Sequence, residues 1–426
     1  MSRQSWQRTL LSSRALTLAC LSTVGIVWVA AEPTARAANY TTCIRWQAQT
    51  IDSGHGEDRL TWANGATSLV TAYGARVRVS ATNGSGTAFY DASPATGCFT
   101  WPEMNDTSYT MRVYYISKDS NKNLIRYHDG GEKAFGSYPG YTYYYQVSNY
   151  TPSKTKTTYL HVGGWSPRAT AISTASMVNR YFSGVHTTGK QIHMTDNLSC
   201  GGSSAHYCSS NCNYSSDAYV RLRTCGEGSD HRRRKFVTAH ELGHARAINY
   251  QGKLEPNYDG SLDEGECVYN DEQTMSGYTM DSREYDVVGM REGFAHFTAL
   301  WTYNRASEDN SWIRWFNTNY DGEKNDPHLS GGRMENTCGG AETGQTTNVD
   351  AMRMYWDWST PTGAANRATR AEIMKTYRDT VLSVPAKNKY WEHFVEKAEA
   401  NVSSGVLNKL CAFAVWNGVE APVDEG

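Results

Sequence analysis

The sequence predicts an α+β fold: a small β-sandwich module first, a mixed α/β stretch next, and a helical C-terminal half. Three observations carry this expectation. Residues 38 to about 150 alternate apolar and polar side chains in short runs, broken by turns such as Asn83-Gly84-Ser85-Gly86. Beyond residue 166, segments with helical spacing alternate with strand-like pieces. After Ser330 the chain is mostly helical in pattern, and no internal repeat interrupts the order. Charged residues at 20% and hydrophobic ones at 39% fit a folded, soluble chain of 426 residues. A formal net charge of -2 excludes a whole-protein field that would gather nucleic acid or an anionic membrane.

The first 37 residues have the pattern of an export signal. Arg3, Arg8 and Arg14 precede an apolar run from Ala15 to Ala31, and Ala35-Arg36-Ala37 supplies a small-x-small cleavage site. This segment holds four Arg and one Glu, so its removal takes the formal charge to -5. Nothing later is apolar enough to span a bilayer, and the mature chain is expected outside the cytoplasm, extracellular or periplasmic, without an integral span. In such a compartment the nine cysteines beyond Cys20 are expected to form disulfides, with at least one thiol left free or paired between chains. Cys200, Cys208, Cys212 and Cys225 crowd one segment, but their spacings lack the paired C-x2-C of a structural zinc site, which favours two disulfides. Cys43 and Cys98 bracket the N-terminal module.

Within residues 38–150, strands are expected at Ala75–Val79, Tyr109–Tyr114 and Tyr141–Val147. The strand after Gly74, followed by Gly97-Cys98-Phe99-Thr100-Trp101, resembles the prealbumin-like sandwich modules found beside secreted hydrolases; a pro-region is the alternative for this segment. Residues 151–426 would form the second domain. Ser166-Pro167 starts a helix to about Phe182, with Ser as N-cap and Pro at the first helical position. Strands are expected at Gln191–Thr195 and Ala218–Arg223, the second as a sheet edge able to hold an extended substrate. Lys235–Tyr250 and Asp281–Tyr303 read as helices, the latter opened by the capping-box pattern Asp281-Ser282-Arg283-Glu284. Further helices are expected near Thr347–Trp358, Arg367–Val381 and Lys387–Asn401.

The chemistry concentrates in His240-Glu241-Leu242-Gly243-His244. Residues four apart on a helix lie about 40° from each other around its axis, so both imidazoles can serve one metal ion. Glu241 beside them can reach the open coordination position, take a proton from water there and pass it to a leaving amine. Phe236, Val237 and Ala239 make the preceding turn apolar, and Gly243 admits a close neighbour. A catalytic zinc needs a third protein ligand. Ala247 and Tyr250 stand where a metzincin would have Gly and His. The better source is Glu292, which heads Glu292-Gly293-Phe294-Ala295-His296. A carboxylate among Val288, Gly293, Ala295 and Ala299 is costly to bury unless a cation satisfies it. Glu284 is the competing ligand, already accounted for by its capping position.

Together these two motifs resemble the gluzincin metallopeptidases. The resemblance implies a zincin-like catalytic domain over roughly residues 166–400, with His240, His244 and Glu292 binding Zn2+ and Glu241 as general base. Two departures stand out. Forty-seven residues separate His244 from Glu292, longer than in the best-known members. His296 occupies the place where the thermolysin pattern has an Asp that orients a histidine ligand, so the support of the ligands must differ. His328, Tyr303 and Tyr320 are candidates for the oxyanion stabiliser that the resemblance implies. The expected function is therefore a secreted zinc peptidase, an endopeptidase, with protein or peptide as substrate. The rival expectations are a binding or adhesion protein with a vestigial zincin fold, and a zinc hydrolase of another amide bond. Elsewhere, His231-Arg232-Arg233-Arg234-Lys235 reads as a solvated face or a salt-bridged loop, and two acidic turns, 256–260 and 319–323, are weak calcium candidates.

Overall fold

Burial on alternate residues decides the first half of the chain. In β1 (Asn39–Gln49), Tyr40, Thr42, Ile44, Trp46 and Ala48 are all buried, so one face of the strand is core along its whole length. The computed structural model describes residues 39–50, 67–128, 142–182, 191–197, 206–207, 218–224, 230–251, 284–303, 345–360, 366–381 and 390–419. The export signal, the four crowded cysteines and both acidic turns lie outside them. Among the described residues no helix is long and apolar enough to cross a membrane.

Strands β2 (Thr67–Thr71), β3 (Arg76–Ala81), β4 (Thr87–Asp91), β5 (Cys98–Pro102) and β6 (Tyr109–Tyr114) follow β1, then β7 (Ile116–Lys118), β8 (Leu124–His128), β9 (Tyr144–Tyr150) and β10 (Thr158–Val162). Strand β1 pairs β10 in parallel along one side. Along the other it pairs β5 with its first half and β2 with its second, both antiparallel. Strands β4-β3-β6-β9 form a second, antiparallel sheet. The two sheets meet through aromatics: the Trp101 ring lies 4.7 Å from both Tyr40 and Tyr109. Thr42 Oγ1 accepts from Trp101 Nε1 at 3.1 Å. Cys43 and Cys98, directly opposite across β1 and β5, form a disulfide.

The chain then enters a different sheet, ordered β12-β13-β11-β8-β7, with β11 (Gln191–Asn197), β12 (His206–Tyr207) and β13 (Ala218–Arg223). Strands β8, β11 and β13 run parallel, and β12 and β7 flank them antiparallel. Strands from both sides of residue 150 thus contribute to each half, since β7 and β8 lie in this sheet while β10 lies in the first. Ala218–Arg223 is a strand as expected, but it is not the edge: β12 pairs with it at Val220 and Arg221. Its Val220 and Leu222 are buried. Alternation alone does not distinguish a half-covered interior strand from an edge.

Helix α1 (Pro167–Tyr181) joins the two halves. Ser166 Oγ accepts from Ala169 N at 3.1 Å, and Pro167 takes the first helical position, as the sequence predicts. Every residue from Ala169 to Asn179 is buried. The run is rich in Ala, Ser and Thr, whose small side chains let β1, β7, β8 and the later helices approach from all sides. Its hydroxyls and amide act as bolts: Thr170 Oγ1 donates to Gln49 O at 3.0 Å, and Asn179 Nδ2 donates to Ser117 O at 2.8 Å.

Helix α2 (Lys235–Gln251) packs on α1, on β11–β13 and on α3 (Asp286–Tyr303). Helix α3 begins later than the capping-box pattern suggests, because Glu284–Tyr285 is drawn into a two-residue strand, β14, paired with β15 (Gln345–Thr346). A partner sixty residues away competes for that backbone, which a local pattern cannot register. Helix α4 (Asn348–Ser359) starts on Thr347, whose Oγ1 accepts from Asp350 N at 3.1 Å. Helices α5 (Arg370–Val381) and α6 (Tyr390–Asn401) match the expected segments, and α7 (Ser404–Trp416) adds a further helix beyond those expected. Val406, Leu410 and Ala414 recur on its buried face, and Val406 O accepts from Trp358 Nε1 at 3.0 Å. Phe294, Phe297, Tyr355, Tyr377 and Phe394 knit α3 to α6 into one aromatic core.

Helix α3 is clamped on this side by glycine. A Cβ on Gly293 would stand 2.6 Å from Ala351 Cβ and 2.7 Å from Met352 N of α4. Gly293→Ala is therefore expected to lower stability by about 1–3 kcal/mol through overpacking, measured by urea denaturation. Gly86→Ala, where the added carbon meets nothing closer than 3.4 Å, is the control.

Candidate metal centre

Helices α2 and α3 cross antiparallel, with Phe236 beside Tyr303 at one end and His244 beside Glu292 at the other. Gly243 sets their spacing: a Cβ there would lie 2.9 Å from Ala295 Cα and 3.0 Å from Thr298 Cβ. At this separation the one-turn pairs His240/His244 and Glu292/His296 face each other directly.

Three of the residues singled out in the sequence converge. His244 Nε2 lies 3.1 Å from His240 Nε2 and 3.0 Å from Glu292 Oε2, and His240 Nε2 lies 3.3 Å from the same oxygen. All three side chains are largely withdrawn from solvent. This group could hold a metal ion. Glu241, between the histidines in sequence, is buried on α2 and is not one of the three converging donors. The side chain of the competing candidate Glu284 lies outside the described part of the structure. Of the oxyanion candidates, His328 and Tyr320 lie outside the described residues. Tyr303 is turned into the core against Phe236, eleven residues along α3 from Glu292, or roughly 16 Å of helix.

Two neighbours complete the setting. Arg291 Nε approaches Glu292 Oε1 at 3.4 Å, so one carboxylate oxygen faces a guanidinium and the other faces the imidazoles. Sequence reasoning missed Arg291; its adjacency to Glu292 was the only signal. His240 Nδ1 lies 3.1 Å from Nδ1 of the buried His296.

The protonation states follow from burial. Burial pulls the His244 imidazole down to about 4, against the upward pull of Glu292. Burial alone would raise the Glu292 carboxyl; His244, hydrogen bonding to both imidazoles and Arg291 outweigh it and hold the group well below the ordinary carboxylate range. His296 also lies well below its ordinary value, from burial first and His240 next. Of the three donors, His244 is thus neutral and Glu292 ionised near neutral pH, the states a metal ion requires of such ligands.

Within the cationic run ahead of α2, Arg232 is held in ion pairs. Arg232 grips Asp230 through two contacts of 2.8 Å and reaches Asp196 at 3.4 Å. Asp196 also receives Arg168 at 2.7 Å and the Tyr127 hydroxyl. This network ties the start of α2 to α1, β8 and β11, and Arg246 ties its middle to Asn179 and Phe182 O at the end of α1.

No protein-family model matches the chain, and no curated protein matches it. The site stands on its own geometry.

A histidine held neutral at about 4 that titrates near 6.5 when unfolded makes stability fall with pH inside that window. The unfolded chain takes up a proton there that the folded chain refuses; above pH 6.5 neither form does, and no loss occurs. Urea midpoints of metal-stripped protein should drop between pH 6.5 and 4, and drop less in His244→Asn. An identical pH dependence in that variant would refute the assignment.

Proposed function

We propose that the chain is an exported zinc-dependent peptidase of gluzincin type, acting on protein or peptide substrates as an endopeptidase. The observation that carries this reading is the convergence of His240, His244 and Glu292 from two helices, with Glu241 next to the first histidine. Two imidazole nitrogens and one carboxylate oxygen are a donor set suited to zinc, and three protein ligands leave a coordination position open. Zinc bonds of 2.0–2.1 Å at tetrahedral angles put donors about 3.3–3.4 Å apart, close to the 3.0–3.3 Å separations present. Arg291 on the far oxygen of Glu292 leaves the near one for the ion.

Bound zinc would supply Lewis acidity, making water a nucleophile near neutral pH and polarising the scissile carbonyl. The protein's own contribution is placement. Glu241, next to His240 on α2, would be the carboxylate that accepts the proton from water and returns it to the leaving amine. Burial of His244 keeps it neutral and available at working pH. The mixed sheet beside α2, with α3 delivering Glu292 from the opposite direction, supports a zincin-like assignment of this half. An intact Glu241 argues against the vestigial, binding-only reading, because a site that merely binds has no use for that carboxylate.

The test is hydrolysis of unfolded casein by the chain, beside Glu241→Gln and a chelated sample. Glu241→Gln should bind zinc normally and lose roughly 10²–10⁴ in rate, the usual contribution of a general base. The chelated sample should recover with zinc. Full activity in the variant would eliminate Glu241 as the base, and activity indifferent to chelation would eliminate the metal.

A further inference from the structure

We propose that His296 is a positioning residue that fixes the tautomer and ring orientation of His240, its Nδ1 serving as hydrogen-bond acceptor for His240 Nδ1. The proposal rests on the zinc-centre assignment and adds a role for a side chain that touches neither metal nor substrate.

The geometry leaves little freedom. His240 has two ring nitrogens: Nε2 faces His244 Nε2 and Glu292 Oε2, and Nδ1 faces His296 Nδ1 at 3.1 Å. A neutral imidazole carries a single proton. If Nε2 offers its lone pair to a metal, the proton must sit on Nδ1, where the Nδ1 lone pair of His296, 3.1 Å away, can accept it. His296 then carries its own proton on Nε2. The opposite arrangement, with His296 donating to His240, would put the His240 proton on Nε2 and block coordination. The contact therefore acts as a selector between a ligating and a non-ligating form of His240.

Position along the helices supports a specific contact over casual packing. His296 follows Glu292 by one turn of α3, so one helical face supplies both a ligand and the support for another ligand. Gly243 holds α2 close at this level. The two rings are tilted by 44° with centroids 4.2 Å apart, which brings nitrogen to nitrogen. Metal-bound histidines commonly give their second N–H to a carboxylate, a carbonyl or water. Here the acceptor brings no charge, so Glu292 is the one anion among the four side chains His240, His244, Glu292 and His296.

The test separates acceptor chemistry from size. In Asn, Oδ1 can stand where His Nδ1 stands and accept the proton; Leu has nearly the same shape and cannot. Zinc affinity of the full chain would be measured by competition with a chromophoric chelator, for the unsubstituted protein, His296→Asn, His296→Asp and His296→Leu. Melting in chelator would establish that each variant is folded, and the visible spectrum of the cobalt-loaded forms would report ligand geometry. His296→Leu should lose about 10–100-fold in affinity and shift the cobalt bands. His296→Asn and His296→Asp should restore most of both. Unchanged affinity in folded His296→Leu, or equal losses in the Leu and Asn variants, would overturn the proposal while leaving the zinc-peptidase reading intact. Failure of the unsubstituted chain to bind zinc would overturn both.

Discussion

Two helices can bring side chains from opposite directions onto a point smaller than a water molecule only if their backbones nearly touch, and α2 and α3 do so at Gly243. Any side chain there would collide with Ala295 and Thr298, pushing the helices apart and taking His244 and Glu292 out of reach of one another. The neighbouring contacts serve this one. Gly293 lets α4 close on the opposite side of α3, the aromatic core stiffens the helical half, and α1 braces α2 from behind. The spacing of the donors is a consequence of backbone proximity more than of any attraction among them.

A carboxylate and three imidazoles buried together lose much of their hydration, and the ionised Glu292 has Arg291 at its outer oxygen. Burial and the Glu292 charge act on His244 in opposite senses, and burial prevails. The result is a neutral His244 beside an ionised Glu292. The cation-rich approach to α2 is kept from disturbing it by Asp230 and Asp196, which hold Arg232 within a salt-bridge network at the start of the helix.

The scaffold shows how sheets from different chain segments can serve one centre. The paired sheets of the N-terminal region share β10 with the segment that leads into α1, and the sheet beside α2 takes β7 and β8 from before residue 150. Helix α1 carries the join. Its Ser and Thr residues would suit a surface or a cap in isolation, yet they are buried, since small hydroxyl side chains can sit between closely packed neighbours and still bond their backbones.

Much of this is legible in the amino-acid order, because some signals are local. Alternation marks β3 and β6, Ser166-Pro167 marks the start of α1, and the four-residue spacing of His240 and His244 is enough to place two imidazoles on one helical face. Glu292 stands out because a carboxylate in an apolar helix demands a reason. What the sequence by itself determined was thus the kind of each element and the residues able to carry the chemistry, both of which depend on spacing along one segment. Only the tertiary structure decided that β12 covers the outer side of β13, that Glu284 is drawn into a strand with Thr346, that Arg291 stands on one oxygen of Glu292, and that His296 meets His240 nitrogen to nitrogen. Nearly all of these depend on a partner distant in sequence, and the free energy that selects such a partner lies in packing and backbone pairing between segments, which no local pattern encodes.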